Sequence, residues 1–127
     1  ALFAIPAVKG VEFGDGFALC DRRGSEANDP FRMAGAQVVT VTNHNGGVNG
    51  GITNGMPVIF RTAVKPTPTI GREQETVDFA AGADTTLQGK GRHDPCIVHR
   101  ARVVVDNVTA LVLADLLAGR YGTDWLA

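Results

Sequence analysis

The sequence predicts an α+β fold in which an antiparallel sheet packs on helices. Two observations carry this. Four short segments between Val8 and Ala80 have strand character, and glycine-, proline- or asparagine-rich stretches separate them. From about Arg102 to Arg120 the apolar period lengthens to that of a helix. At 127 residues the chain is one domain or part of one. Only 6% of its residues are aromatic, so its core has to rest on Val, Leu, Ile and Ala.

Taken in order, Ala1-Leu-Phe-Ala-Ile5 is apolar, with no basic segment ahead of it and no cleavage pattern behind it. It reads as the cut end of a helix whose earlier turns are missing. Val8 to Phe13 alternates loosely and predicts a strand ending at the turn signal Gly14-Asp15-Gly16. Phe17 to Arg23 reads as a short helix stopped by Gly24, and Ser25 to Pro30 as a loop. Val39 and Val41 alternate with Thr40 and Thr42, a half-buried strand. Val58, Phe60, Thr62 and Val64 share one face of another, opened by Pro57. These two strands are expected to pair antiparallel across the intervening glycine-rich segment. Glu75 to Ala80 is one more short strand, followed by the loose Ala81 to Asp84. In the terminal helix Val105, Val108, Val112 and Leu116 define one face, while Val104, Leu111, Leu113 and Leu117 spread apolar groups nearly all round. Such a helix is normally buried on most sides, between layers or at a subunit contact. Tyr121 to Ala127 reads as a fraying end.

A formal net charge of -1 argues against a partner held by bulk electrostatics such as nucleic acid. The richest apolar run, Ala110 to Ala118, is too short to span a membrane and is broken by Asp115. Cys20 and Cys96 read as unpaired thiols in a cytoplasmic setting. Glycine is the compositional outlier: 16 residues, five of them between Gly46 and Gly55, where an average chain carries roughly 7%.

Three polar segments do not look like core. Asn43 to Gly55 combines glycines, which let backbone N–H groups approach a ligand, with Asn and Thr donors and acceptors. It is too long for a tight hairpin and matches neither the dinucleotide fingerprint nor a P-loop. A flexible connection between strands is the plain alternative. Lys65-Pro66-Thr67-Pro68-Thr69 holds a cation and two hydroxyls on a chain stiffened by two prolines, as a phosphate or another polar ligand would need, or as a rigid solvent loop would have. Arg92-His93-Asp94-Pro95-Cys96 admits four readings. Asp94 and Pro95 could cap a helix. His93, Cys96 and His99 could ligate zinc, without an evident fourth ligand. Cys96 could pair with a histidine as a nucleophile. Arg92 could bind an anion beside Asp94 as acid or base.

In these three segments, together with Val8-Lys-Gly-Val-Glu-Phe-Gly-Asp-Gly-Phe17 and Gly24-Ser-Glu-Ala-Asn-Asp29, the chain resembles chorismate synthase. The resemblance runs from about Ile5 to Asp115 and corresponds to the C-terminal part of such an enzyme, so residues 1–127 are expected to be that portion of the domain. It implies a sandwich of helices between antiparallel sheets, assembled as a homotetramer. It implies a 1,4-elimination of phosphate from 5-enolpyruvylshikimate 3-phosphate, giving chorismate at the last step of the shikimate pathway of aromatic amino acid biosynthesis. Reduced FMN is the implied cofactor, with NADP on the side of flavin reduction. By motif, flavin contacts fall on Pro6, Ala7, Gly50, Lys65, Pro66, Thr67, Pro68, Thr69 and Arg92. Asp94 corresponds to the carboxylate near flavin N5 that takes part in removing the substrate proton. Thr53 stands where relatives commonly have Ser, Arg102-Val103 where Val-Pro is common, and Pro6 where a polar residue is frequent. The alternative implied is a non-catalytic flavin-binding or assembly module of the same fold.

Overall fold

Hairpins and one long helix make up the computed structural model, which describes residues 1–123. They fall into two units, Leu2–Ala63 and Val64 onward with Ala1. The end of the expected fraying segment, residues 124–127, lies outside the described residues.

The first unit opens with a 3-10 turn at Leu2–Ala4. Pro6 ends it, since the residue before a proline is pushed out of the helical region. The chain turns through Ile5-Pro6-Ala7-Val8, closed by Val8 N–H donating to Ile5 O at 3.2 Å, into β1 (Val8–Phe13). A second 3-10 helix covers Gly16–Asp21. Gly24 does not stop a helix but opens one, α1 (Gly24–Ala27), within the stretch expected to be a loop. Glu26 fixes that turn by accepting the Arg23 N–H at 3.0 Å.

β2 (Phe31–Ala34) and β3 (Gln37–Thr40) form an antiparallel hairpin in the register Phe31↔Thr40 to Ala34↔Gln37. β4 (Val48–Asn49) and β5 (Ile52–Thr53) form a second, smaller hairpin. β6 (Phe60–Val64) pairs with β1, not with β3. The expected pairing of Val38–Thr42 with Val58–Val64 is therefore wrong. Its true partner, β2, follows from Phe31 and Met33 alternating with Arg32, and from the two-residue Gly35-Ala36 connection, which favours the nearest strand. Phe13 and Phe60 hold β1 to β6 with ring centroids 5.8 Å apart, and Glu12 Oε1 meets Arg61 Nε at 2.9 Å. The buried side chains of this unit are Ile5, Val8 and the carboxylate of Asp29.

In the second unit β7 (Glu73–Asp78) and β8 (Ala83–Gln88) form an antiparallel hairpin, register Glu73↔Gln88 to Asp78↔Ala83. Of the stretch read as loose, Ala81 and Gly82 lie in the turn and Ala83 and Asp84 open β8. Asp78 Oδ1 accepts the N–H groups of Ala80 and Ala81, at 2.8 and 3.1 Å, which turns the chain back. α2 (Val98–Tyr121) begins four residues before the predicted Arg102. With Val103 in place of a proline, no amide is missing from its first turns. Gly122 closes it by donating to Ala118 O at 2.9 Å. Within this chain α2 is uncovered: none of its described residues is buried, and Leu111 and Leu116 are 70% and 62% exposed. Its all-round apolar surface has no covering layer among the described residues. Mixed helix and antiparallel sheet, an α+β arrangement, is what the sequence predicted and what the chain adopts.

Candidate functional site

In the second unit the two polar segments around β7–β8 converge. Pro66, Thr67 and Thr69 from one, and Gly91, His93 and Asp94 from the other, line an open cleft of about 480 Å³. The prolines at 66 and 68 keep the first segment extended and out of both neighbouring strands. Gln74 and Gln88, at the open end of the hairpin, donate to Pro68 O and Gly71 O at 3.4 and 2.7 Å and tie that segment to the sheet.

Thr67 Oγ1 is buried and, among the described residues, is the one such side-chain atom with no hydrogen-bond partner. An unmet buried hydroxyl costs about 1–3 kcal/mol. Placed in a polar cleft, it is a contact left for a ligand that can donate or accept, so these residues fit the polar face or phosphate of a flavin. Gly89 keeps the cleft's wall in place: a β-carbon there would lie 2.9 Å from Ile70 O and 3.2 Å from Thr69 Cγ2. Gly89→Ala is expected to displace Thr69-Ile70 and cost about 1 kcal/mol of stability. Faster amide exchange at Ile70 and Gly71, with Gln88 unaffected, is the signature to measure.

Asp94 does not cap α2. The cap position is Ile97, with no side-chain cap bond. Arg100, in the first turn, grips the carboxylate instead: Nη1 to Oδ2 at 2.9 Å and Nη2 to Oδ1 at 3.3 Å. Arg92, read as an anion-binding cation beside Asp94, forms no ion pair among the described residues. Arg92, Lys65 and Pro68 are exposed and do not line the cleft. Among the described residues no group of three or more His, Cys, Asp or Glu is placed to hold a metal ion, and Cys20 and Cys96 are free and exposed.

Pro6, Ala7 and Gly50 belong to the first unit. Ala7 has φ 69°, a left-handed conformation that costs an L-residue roughly 1–2 kcal/mol. Pro6 at the preceding position makes this the second central residue of a turn that normally takes glycine. Gly50 and Gly51 form the β4–β5 turn with φ 58° and 81°, both positive as a two-residue hairpin turn needs. The segment thought too long for a tight hairpin thus contains one.

The rest of that segment is anchored by Asp29, which sequence reasoning left in a loop. Its Oδ1 accepts from Thr42 Oγ1 (2.8 Å) and His44 N–H (2.7 Å), and its Oδ2 from Asn45 N–H and Nδ2 (both 2.9 Å). Burial pushes the Asp29 carboxyl upward, but the hydrogen bonds from Asn45, Thr42 and His44 prevail and lower it from 3.8 to about 2. Asn43 completes the turn, its Oδ1 accepting Gly47 N–H at 2.7 Å and its Nδ2 donating to Pro57 O at 2.9 Å. On the outside, Asp15 Oδ2 meets His44 Nδ1 at 2.6 Å and Arg22 Nη1 at 2.9 Å. The signal that could have found Asp29 is an acid directly before Pro30, ahead of a run rich in donors.

The family model described as chorismate synthase matches residues 1–118. A chorismate synthase of Aeropyrum pernix is 55% identical over 117 residues, covering 92% of this chain and 31% of the relative. One of Thermococcus kodakarensis is 55% identical over 120 residues, covering 94% and 34%. A crystal structure of chorismate synthase aligns with TM-score 0.51 at 45% identity, over 54% of this chain and 20% of that one. The chain spans about a third of the length of these relatives.

Proposed function

The chain belongs to the chorismate synthase family, and on that premise we propose that residues 1–127 are the C-terminal portion of a chorismate synthase acting with reduced FMN. The substrate is 5-enolpyruvylshikimate 3-phosphate, and the working enzyme is a cytoplasmic homotetramer whose flavin is reduced by NADPH, leaving NADP. The observation that carries this reading is the convergence of Thr67, Thr69 and Asp94 on one cleft beside an unmet Thr67 hydroxyl. Thr67 and Thr69 supply hydroxyls to the flavin, Lys65 and Arg92 the positive charge, and Pro66 and Pro68 the fixed spacing; Pro6, Ala7 and Gly50 are flavin contacts by motif alone. When bound, the reduced flavin supplies electron density that assists the departure of phosphate. As the carbon–oxygen bond to phosphate breaks, negative charge grows on the leaving oxygen, and fixed cations lower that barrier most effectively. Asp94 exchanges the proton that the ring loses.

No helix among the described residues is long and apolar enough to cross a membrane. A second reading, a non-catalytic assembly module, draws on one observation: α2 and the β7–β8 hairpin leave every described residue wholly or partly exposed and so offer surface to other chain. The two separate by assay. Residues 1–127 alone, given reduced FMN and substrate anaerobically, are expected to show no appreciable turnover, since the remaining two-thirds of a family enzyme supply further basic and histidine groups. A full-length protein carrying them is expected to make chorismate. Turnover by the 127-residue chain at a full-length rate would overturn the division of the site, and an inactive full-length protein would leave the assembly reading.

A further inference from the structure

Arg100 is an exposed cation in the first turn of α2, where the helix dipole disfavours positive charge. Helix electrostatics therefore does not explain its position, and its partner does. Both of its terminal nitrogens reach separate oxygens of Asp94, at 2.9 and 3.3 Å, although the two residues stand six positions apart in the chain. Asp94 stands in irregular chain after Gly91, whose φ of 113° marks a bend without strand or helix support. α2, by contrast, is a 24-residue rigid element. We propose that Arg100 is a positioning residue: its planar fork fixes the rotamer of Asp94 at the edge of the cleft and transfers the rigidity of α2 to a carboxylate that the loop alone would leave mobile. A guanidinium can do this where an ammonium cannot, because two parallel hydrogen bonds define the plane of the carboxylate and a point charge does not. The exposure of Arg100, 78% of its side chain, means the pair adds little to global stability. Its effect is on geometry.

This inference rests on the reading of Asp94 as the proton-exchanging group, and the test separates the two. In the flavin-free 127-residue chain, nitrogen relaxation should show an ordered Arg100 Nε–H, with its order parameter falling by at least a third in Asp94→Asn. In the full-length protein, Arg100→Lys and Arg100→Gln should both keep flavin affinity and KM within about threefold and lose kcat at least tenfold. The double variant Arg100→Gln with Asp94→Asn should be no slower than Asp94→Asn alone, because the fork acts only through that carboxylate. A fully active Arg100→Lys, losses that multiply in the double variant, or an Arg100 Nε–H as mobile in the parent chain as in Asp94→Asn would each overturn the proposal while leaving Asp94 its role. A fully active Asp94→Asn would remove the underlying reading and the fork's purpose with it.

Discussion

Asp94→Asn in the full-length protein is expected to fold normally, bind flavin and lose turnover by roughly 100-fold or more, the usual scale of acid–base assistance. The side chain's other possible duty is already accounted for. α2 starts at Val98 with Ile97 in the cap position, so no helix end depends on Asp94. Asn keeps the size of the carboxylate and one acceptor oxygen for Arg100, and cannot take up a proton. Melting temperature and flavin titration control for fold and cofactor, and single-turnover kinetics read the chemistry. An Asp94→Asn enzyme with parental kcat would reduce Asp94 to the partner of an exposed arginine.

The second large effect is expected at Asp29. Four donors converge on its two oxygens, and of these the Thr42 hydroxyl alone has a second acceptor, Asn28 O at 3.4 Å. Hydrogen bonds to a charged group contribute about 1.5–3 kcal/mol each and are not additive. Asp29→Ala should therefore cost about 3 kcal/mol or more, a fall in Tm of roughly 10 °C for a chain of this size. Asp29→Asn should recover only part of this, because its amide would point a donor at donors. The acid dependence follows in sign. The folded carboxyl lies near 2, below its ordinary 3.8, so its contribution, up to about 2 kcal/mol, is fully present above about pH 5 and is lost as pH falls from about 4 through 2. Urea unfolding between pH 2 and 7 checks this. A parent chain whose acid loss is no steeper than that of Asp29→Asn would show that the carboxylate contributes nothing.

Thr67, Thr69 and Asp94, which line one cleft, stood out because proline, charged and hydroxyl residues crowd into short segments, and composition alone marks such places. The strands of Val8–Phe13 and Val58–Val64 were legible because alternation along one strand is local information. Their pairing was not. Alternation says which side chains share a face but not which neighbour completes the ladder, so the β2–β3 hairpin and the β1–β6 pairing were missed together. β8 was hidden by Ala83-Asp84, two poor strand formers that follow a glycine. Asp29 escaped because its partners lie 13 to 16 residues further along the chain, beyond any window of periodicity. Arg100 lay ahead of the helix expected from about Arg102, and its reach back to Asp94 depends on where that helix begins.

The pairing of β1 with β6 also orders events in time. The β2–β3, β4–β5 and β7–β8 hairpins each join neighbours in the chain through short turns, and such ribbons close in roughly 1–10 μs. Between Phe13 and Phe60 the chain must instead bring together ends separated by most of the first unit, an entropy loss that nothing repays until the rings meet. That encounter should set the pace of folding, with the small hairpins and the Asp29 turn already formed inside the closing loop. Weakening the ring pair with Phe60→Leu should accordingly slow refolding more than it speeds unfolding, whereas a lesion in the β7–β8 turn should leave the refolding rate of the first unit unchanged.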